Sequence, residues 1–447
     1  MALDVSVLLE YFQLIVLNKI QTVIQDEAQK SVKIDIPQKL VRQISAHHDI
    51  TDYNAEEIVL LLTALTSHLH PNFFDQAITK ALPSPGDFPQ LGGVRGKNFR
   101  GFLPTGETAL FLLAGNDLEK RLQVQELFGT EHFFYKKHIL WLEDVPAGEP
   151  RMSGKIILAP EYVELFTTGK VTPPAFSTEF PARRIETQLE WDDLVLAPDN
   201  MAQIRELETW VRFNDKMLLE WQMHKRIKPG YRVLFHGPPG TGKTLTASLL
   251  GKYTGKDVYR IDLSTVVSKY IGETEKNMAS LFDRAEDKNW ILFFDEADAL
   301  FGKRTNVRDA HDKYANQEVS YLLQRVEDFN GLVILASNMK SNIDDAFMRR
   351  FNALIKFALP DERERERIWR ITFPEAIRFQ ANGAGSPLDL PRLAARYELS
   401  GGNIVNAVHY ACLYAMSNDT NVISWESVKQ GIRAEFAKDG RVFKDLG

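Results

Sequence analysis

Eight consecutive residues, Gly237-Pro238-Pro239-Gly240-Thr241-Gly242-Lys243-Thr244, are spaced to hold phosphate. They fit the pattern G-x-x-x-x-G-K-[ST], in which glycines let backbone N–H groups close round the phosphates. Lys243 would reach the β- and γ-phosphates and the Thr244 hydroxyl would take Mg²⁺. Leu245 opens the next helix and is placed with the binding loop.

Two adjacent carboxylates end the apolar run "WILFFDEADAL" at 290–300. Asp295 is placed to hold the Mg²⁺ shell, and Glu296 to polarise an attacking water. Acidic residues after an apolar strand are also common helix caps, so the phosphate loop upstream is what gives this pair its reading. Glu296 points to turnover, because a site that only senses nucleotide has no use for a base. Asn338 closes "LVILASN" at 332–338 and could orient the water between Glu296 and the γ-phosphate, or simply turn the chain. Arg349 and Arg350 lie between apolar Phe347-Met348 and Phe351. A surface salt bridge is the plain account of such a pair. An arginine inserted at a neighbour's γ-phosphate is the other, and is worth about 10³-fold or more in rate.

These residues need a scaffold that brings strand ends together. From Tyr231 to about Phe357, short apolar runs alternate with helical periodicity, the pattern of a parallel sheet with crossover helices. The strand "RVLFH" precedes the loop and the helix "LTASLLGKY" comes directly after it. Beyond Pro360 the chain reads as helical, through "DERERERIW", "DLPRLAARYE", "GGNIVNAVHYACLYAM" and "SWESVKQGIRAEFAK".

"GPPGTGKT", "FFDEAD", "ASN" and "DDAFMRRF", in this order and with "SKYIGETEKN" between the first two, resemble an AAA-type ATPase of the AAA+ superfamily. The first two are its Walker A and Walker B motifs. The resemblance covers about 191–447 and implies a large α/β subdomain, a small helical lid, and a ring, usually a hexamer, with ATP and Mg²⁺ bound between subunits. It also implies that Asn338 is the first sensor and that Arg349 and Arg350 are arginine fingers. The family commonly reads Arg-Pro-Gly-Arg-Phe where this chain has Arg349-Arg350-Phe351, which leaves both arginines as candidates. "LSGGNIVNAV" is similar to the lid segment of members without a second-sensor arginine, so Gly401 and Gly402 are assigned to packing beside the nucleotide. "WDDLVLAP" at 191–198 stands where the family's backbone meets adenine.

Tyr270-Ile271-Gly272 matches the aromatic–hydrophobic–glycine loop that members use to thread polypeptide through a central channel. A flat aromatic grips chain without reading sequence, and glycine lets the loop swing. "KRTNVRDAHDK" at 303–313 would be a second, charged channel loop. The expected function is therefore a ring motor that unfolds or remodels a protein client. A nucleic-acid-dependent switch or clamp-loader-like ATPase is the alternative, which neither a basic DNA module nor a second-sensor arginine supports. "SKYIGETEKN", "FGKRTNVRDAHDKYANQEVSYLLQR" and "LSGGNIVNAV" are further similar to the bacterial AAA ATPases that accompany phage-tail-like contractile injection systems, which would make such particles the client.

At 447 residues the chain has room for roughly two to four domains. The overall expectation is an α/β fold, a phosphate-loop module with a helical lid preceded by a helical segment and a small mixed α/β module. The texture divides it into a helical segment 1–82, an α/β adaptor 83–190, a large ATPase subdomain 191–360 and a helical lid 361–447. A formal charge of −6 offers no global attraction to nucleic acid or anionic lipid. Cys412 is the only cysteine, which excludes an intrachain disulfide and fits a cytoplasmic protein; it reads as a small core residue. The amino terminus lacks the basic start and cleavage site of a signal peptide, and no run approaches the ~20 apolar residues of a membrane span. Gly93 to Lys97 imitates a phosphate loop without its spacing, with Arg95, Lys97 and Arg100 in a solvated loop or a local anion patch. His47, His48, His68 and His70 lack the companions of a metal site.

Overall fold

In the computed structural model the described residues are 5–24, 53–82, 88–169, 173–174, 176–177, 180–262, 273–297, 320–338, 348–379, 389–438 and 440–443. They fall into two compact units, Met1–Pro173 and Pro174–Gly447.

The first unit packs α1 (Val5–Ile24), α2 (Ala55–Leu69), α3 (Phe73–Ala81), α4 (Gly106–Leu113), α5 (Leu118–Gln125), α6 (Phe133–Lys136) and α7 (Pro160–Thr168) with the antiparallel pair β1 (Leu140–Leu142) and β2 (Ile156–Leu158). Asn54 starts α2 with a capping box, its Oδ1 accepting from Glu57 N at 2.9 Å while Glu57 Oε2 accepts from Asn54 N at 2.7 Å. One core runs through residues on both sides of position 82: Phe12 stacks on Phe73 at 5.4 Å, and Phe74 meets Phe102 at 5.1 Å. The Pro/Gly cluster after Leu82 thus joins elements of one core. Arg95 pairs with Asp75 at 2.6 Å and donates to Arg100 O, so the segment that imitates a phosphate loop is a stapled turn bridged Val94 to Leu103.

The second unit is built on a six-stranded sheet in the order β3-β5-β6-β7-β4-β8. Its members are β3 (Arg183–Ile185), β4 (Tyr231–His236), β5 (Val258–Asp262), β6 (Ile291–Asp295), β7 (Leu332–Ser337) and β8 (Ala353–Lys356). All run parallel except the edge strand β3, which pairs antiparallel with β5. Residues 183–185, placed by sequence texture in the adaptor segment, pair with β5 at the edge of this sheet. The near-continuous apolar runs of β6 and β7 are what a sheet covered on both faces requires, and Ile291, Leu292, Phe293 and Phe294 are fully buried. Each contributes about 1.5–3 kcal/mol by leaving water.

Helices α8 (Pro198–Glu220), α9 (Lys243–Thr254) and α10 (Glu273–Asp287) accompany the sheet, and α11 (Glu362–Thr372), α12 (Leu390–Arg396), α13 (Gly401–Ser417) and α14 (Trp425–Lys438) form the lid. The lid has its own core, centred on Trp369, Leu393, Ile404, Val428 and Ile432, with a short parallel pair, β9 (Arg378–Phe379) and β10 (Val422–Ile423), at its side. Cys412 packs partly buried against that core, and burial pushes its thiol pKa up. Arg365, itself buried, holds the lid's first turn by donating from Nε to Ala394 O at 2.8 Å and from Nη1 to Pro360 O at 2.7 Å.

Candidate nucleotide site

In the sheet β4 lies between β7 and β8, with β6 next to β7. The carboxyl ends of β4, β6 and β7 therefore open on one place, which is where parallel α/β sheets bind ligands. A cleft of about 480 Å³ lies there, between the sheet and the lid.

The loop after β4 is shaped by its glycines. Gly237 has φ 146°, and a Cβ on it would stand 1.9 Å from Phe357 O. Gly242 has φ 98° and caps α9, so the helix begins at Lys243 with its first N–H groups turned to the cleft. No L side chain suits these positions, and the space they leave is what a phosphate fills. Thr241 ties the loop back on itself, its hydroxyl donating to Pro238 O at 2.8 Å.

Lys243 is 8% exposed. Its Nζ donates to Gly237 O at 2.6 Å, Pro238 O at 2.9 Å and Asn338 Oδ1 at 3.1 Å. Those three oxygens satisfy an ammonium aimed into the cleft. Asn338 thus stands just past the end of β7, within hydrogen-bonding reach of the loop lysine.

Asp295 and Glu296 both line the cleft. One Asp295 oxygen accepts from Glu296 N at 3.0 Å and the other pairs with Arg260 at 2.8 Å. Glu296 sits at φ 53°, a left-handed conformation uncommon for a glutamate, which costs on the order of 1–3 kcal/mol. The bond from Ala297 N to Ala336 O at 2.8 Å holds the turn against β7. A hydroxyl from Thr244 and a carboxylate from Asp295 are hard oxygen donors and suit Mg²⁺, and the glycine cradle suits a phosphate chain.

Most of the other expected residues also meet the cleft. Pro239, Gly240, Thr241, Gly242, Lys243, Thr244 and Leu245 line it, with Leu194–Ala197 on the side expected for the base. Gly401 and Gly402 reach it from the lid, and Gly402 N donates to Gly240 O at 2.9 Å. Arg349 and Arg350 do not line their own chain's cleft: Arg350 pairs with Glu327, and Arg349 is exposed with no partner among the described residues. Tyr270, Ile271, Gly272 and the 303–313 loop lie outside the described residues. Among the described residues no cluster of three or more His, Cys, Asp or Glu could hold a metal.

Two contributions stand outside the motifs. Arg260 is the polar residue inside "VYRID", and only the pairing of β5 with β6 brings it to Asp295. Ser400 and Asn403 cap α13 at the cleft, a capping pair visible in "SGGN".

Residues 233–359 match the family described as ATPase family associated with various cellular activities (AAA), so the chain carries an AAA ATPase domain. It is similar to a proteasome-activating nucleotidase of Methanopyrus kandleri, 28% identical over 254 residues that cover 55% of this chain and 56% of that one. It is also similar to a vesicle-fusing ATPase of Arabidopsis thaliana, 34% identical over 214 residues covering 44% of this chain and 28% of that one. A 26S proteasome regulatory subunit 6B homolog of Dictyostelium discoideum is 31% identical over 225 residues, covering 48% of this chain and 54% of its own. The chain therefore spans from about a quarter to just over half the length of these curated relatives. No helix among the described residues is long and apolar enough to cross a membrane.

Proposed function

We propose that this protein is an ATP-hydrolysing ring motor that remodels, unfolds or disassembles protein clients. The observation that carries the hydrolytic part is the convergence of Lys243, Asn338, Asp295 and Glu296 on one cleft, with Lys243 already hydrogen-bonded to Asn338. The loop N–H groups and Lys243 bind the phosphates, Glu296 takes the proton of the attacking water, and Asn338 orients that water. Thr244 and Asp295 are the residues that would hold Mg²⁺, which supplies neutralising charge to the phosphates when bound. Arg349 and Arg350, absent from their own cleft, serve the site of the next subunit, which supports a ring, a hexamer by family habit.

The client is read as protein. Two similar proteins are named for the proteasome, and Tyr270-Ile271-Gly272 has the composition of a gripping loop. The narrower resemblance of "LSGGNIVNAV" and its companion segments supports a contractile injection particle as that client, in the cytoplasm. Residues 1–173 would be the adaptor.

Glu296→Gln tests the reading. The variant should bind ATP while hydrolysing it roughly 10²–10⁴-fold more slowly, the usual share of a general base. Unchanged turnover would remove Glu296 from the mechanism. The trapped ring, recovered from its native cell, would carry the client; contractile-particle proteins absent from it would remove that assignment.

A further inference from the structure

Helix α14 enters no part of the cleft, yet it carries a buried charge tied to it. Glu435 is 3% exposed. Its Oε2 accepts from Asn403 Nδ2 at 3.0 Å and Asn406 Nδ2 at 3.1 Å, both on α13, and its Oε1 accepts from Lys438 Nζ at 2.5 Å. A buried carboxylate is destabilising unless donors surround it, and packing alone is served as well by an apolar residue. Two of the donors come from the neighbouring helix, so the carboxylate fixes one helix against the other.

What it fixes most closely is the orientation of one amide. A carboxylate only accepts, so Glu435 turns the NH₂ of Asn403 toward itself and leaves Oδ1 pointing at Ser400. Oδ1 there accepts from Ser400 N at 3.2 Å and from Ser400 Oγ at 2.5 Å, while Asn403 N donates to Ser400 Oγ at 3.2 Å. Ser400 in turn meets the phosphate loop: a Cβ added to Gly240 would lie 2.6 Å from Ser400 Oγ and 3.2 Å from Gly402 N. The chain of contacts has no slack at its far end either. A Cβ on Gly431, one turn before Glu435, would stand 2.6 Å from Ala407 O, so α14 lies directly on the α13 backbone.

We infer that Glu435 is a positioning residue for nucleotide binding, setting through Asn403 where Ser400 and the start of α13 meet Gly240. This rests on the nucleotide reading of the cleft. Without Glu435 the Asn403 amide is held only from its oxygen side, by Ser400, so the Ser400 cap loosens and the lid presents Gly402 N to Gly240 O less firmly.

The test is equilibrium binding of a fluorescent ADP to the full chain, well below each variant's Tm, with Glu435→Gln, Glu435→Ala, Asn403→Ala and Val428→Ala. Val428 is a fully buried lid residue whose truncation destabilises the lid core without entering this chain of contacts. Loss of a hydrogen bond to a charged group predicts roughly ten-fold weaker ADP binding for Glu435→Ala and Asn403→Ala, with the double variant no weaker than either single. Glu435→Gln, which keeps the shape, should fall between them and wild type, and gives the answer if Glu435→Ala does not fold. Val428→Ala, which removes apolar volume from the lid core but none of these hydrogen bonds, should bind within two-fold of wild type. ADP affinity unchanged in Glu435→Gln and Asn403→Ala, or weakened equally by Val428→Ala, overturns this inference alone. Failure of the wild-type chain to bind ADP overturns the nucleotide reading and the inference with it.

Discussion

Lys243 Nζ and Asn338 Oδ1 stand 3.1 Å apart, joining the loop after β4 to the end of β7. An amide oxygen that already accepts from the lysine leaves its NH₂ for something else in the cleft, and the attacking water is what the geometry offers. Asn338→Ala should therefore slow hydrolysis by roughly 10²–10³-fold, as loss of one aimed hydrogen-bond group does, with ATP affinity moved far less. Single-turnover hydrolysis set beside equilibrium binding separates the two quantities.

Arg260 reaches Asp295 at 2.8 Å while Asp295's other oxygen accepts from Glu296 N. Both oxygens are thus held in one orientation, with one lone pair on each left over. Arg260→Ala should raise the Mg²⁺ concentration needed for half-maximal activity by roughly three- to ten-fold, since the partly exposed pair is worth about 1 kcal/mol. A Mg²⁺ titration at fixed ATP reads this directly, and chelation of Mg²⁺ should abolish turnover in wild type and variant alike.

Arg350 is paired with Glu327, whereas Arg349 has no partner among the described residues. Arg232, on the same sheet, holds this region together by donating from Nε to Val326 O at 3.2 Å and from its backbone to Asn352 Oδ1 at 2.9 Å. We expect Arg349→Ala to lower hydrolysis by about 10³-fold or more. Arg350→Ala should cost less in rate and should lower Tm. Mixing either variant with Glu296→Gln subunits shows whether the loss passes between subunits, and unaffected turnover in both single variants would rule out a finger here.

Burial opposes ionisation of Glu435, but the hydrogen bonds from Lys438, Asn403 and Asn406 outweigh it and hold its pKa below the ordinary 4.5. A depressed carboxyl pKa contributes stability that is complete above the unfolded value and is lost as pH falls through the folded one. The Tm advantage of wild type over Glu435→Gln should accordingly be constant above about pH 5.5 and shrink below about 4.5. Thermal melts from pH 7 to pH 3.5 would show it, and an advantage that grows on acidification would contradict the sign.

The phosphate loop and the Asp295-Glu296 pair are legible in the sequence because each carries its own context, an apolar strand just before and a helix or turn just after. Asn338 needs only the strand that ends on it. Arg260 is not legible, because its distance to Asp295 depends on β5 pairing with β6 in one register out of several. The same holds for Glu327 with Arg350 and for Glu435 with Asn403, ion and hydrogen-bond partners chosen by packing between elements far apart in the chain. The change of texture at the Pro/Gly cluster after Leu82 suggests a domain edge, yet Phe12, Phe73, Phe74 and Phe102 share one core across it. A turn and a linker use the same residues, and only the packing of the flanking segments tells them apart.

The close approach of Gly237 to Phe357 places the exit of the sheet and the entrance of the phosphate loop on one peptide group. Three residues past Phe357 comes Pro360, whose carbonyl accepts from Arg365 at the root of the lid. The phosphate loop, the end of the sheet and the root of the lid are thus all tied to one short stretch of backbone, so a side chain forced in at Gly237 would be felt at all three.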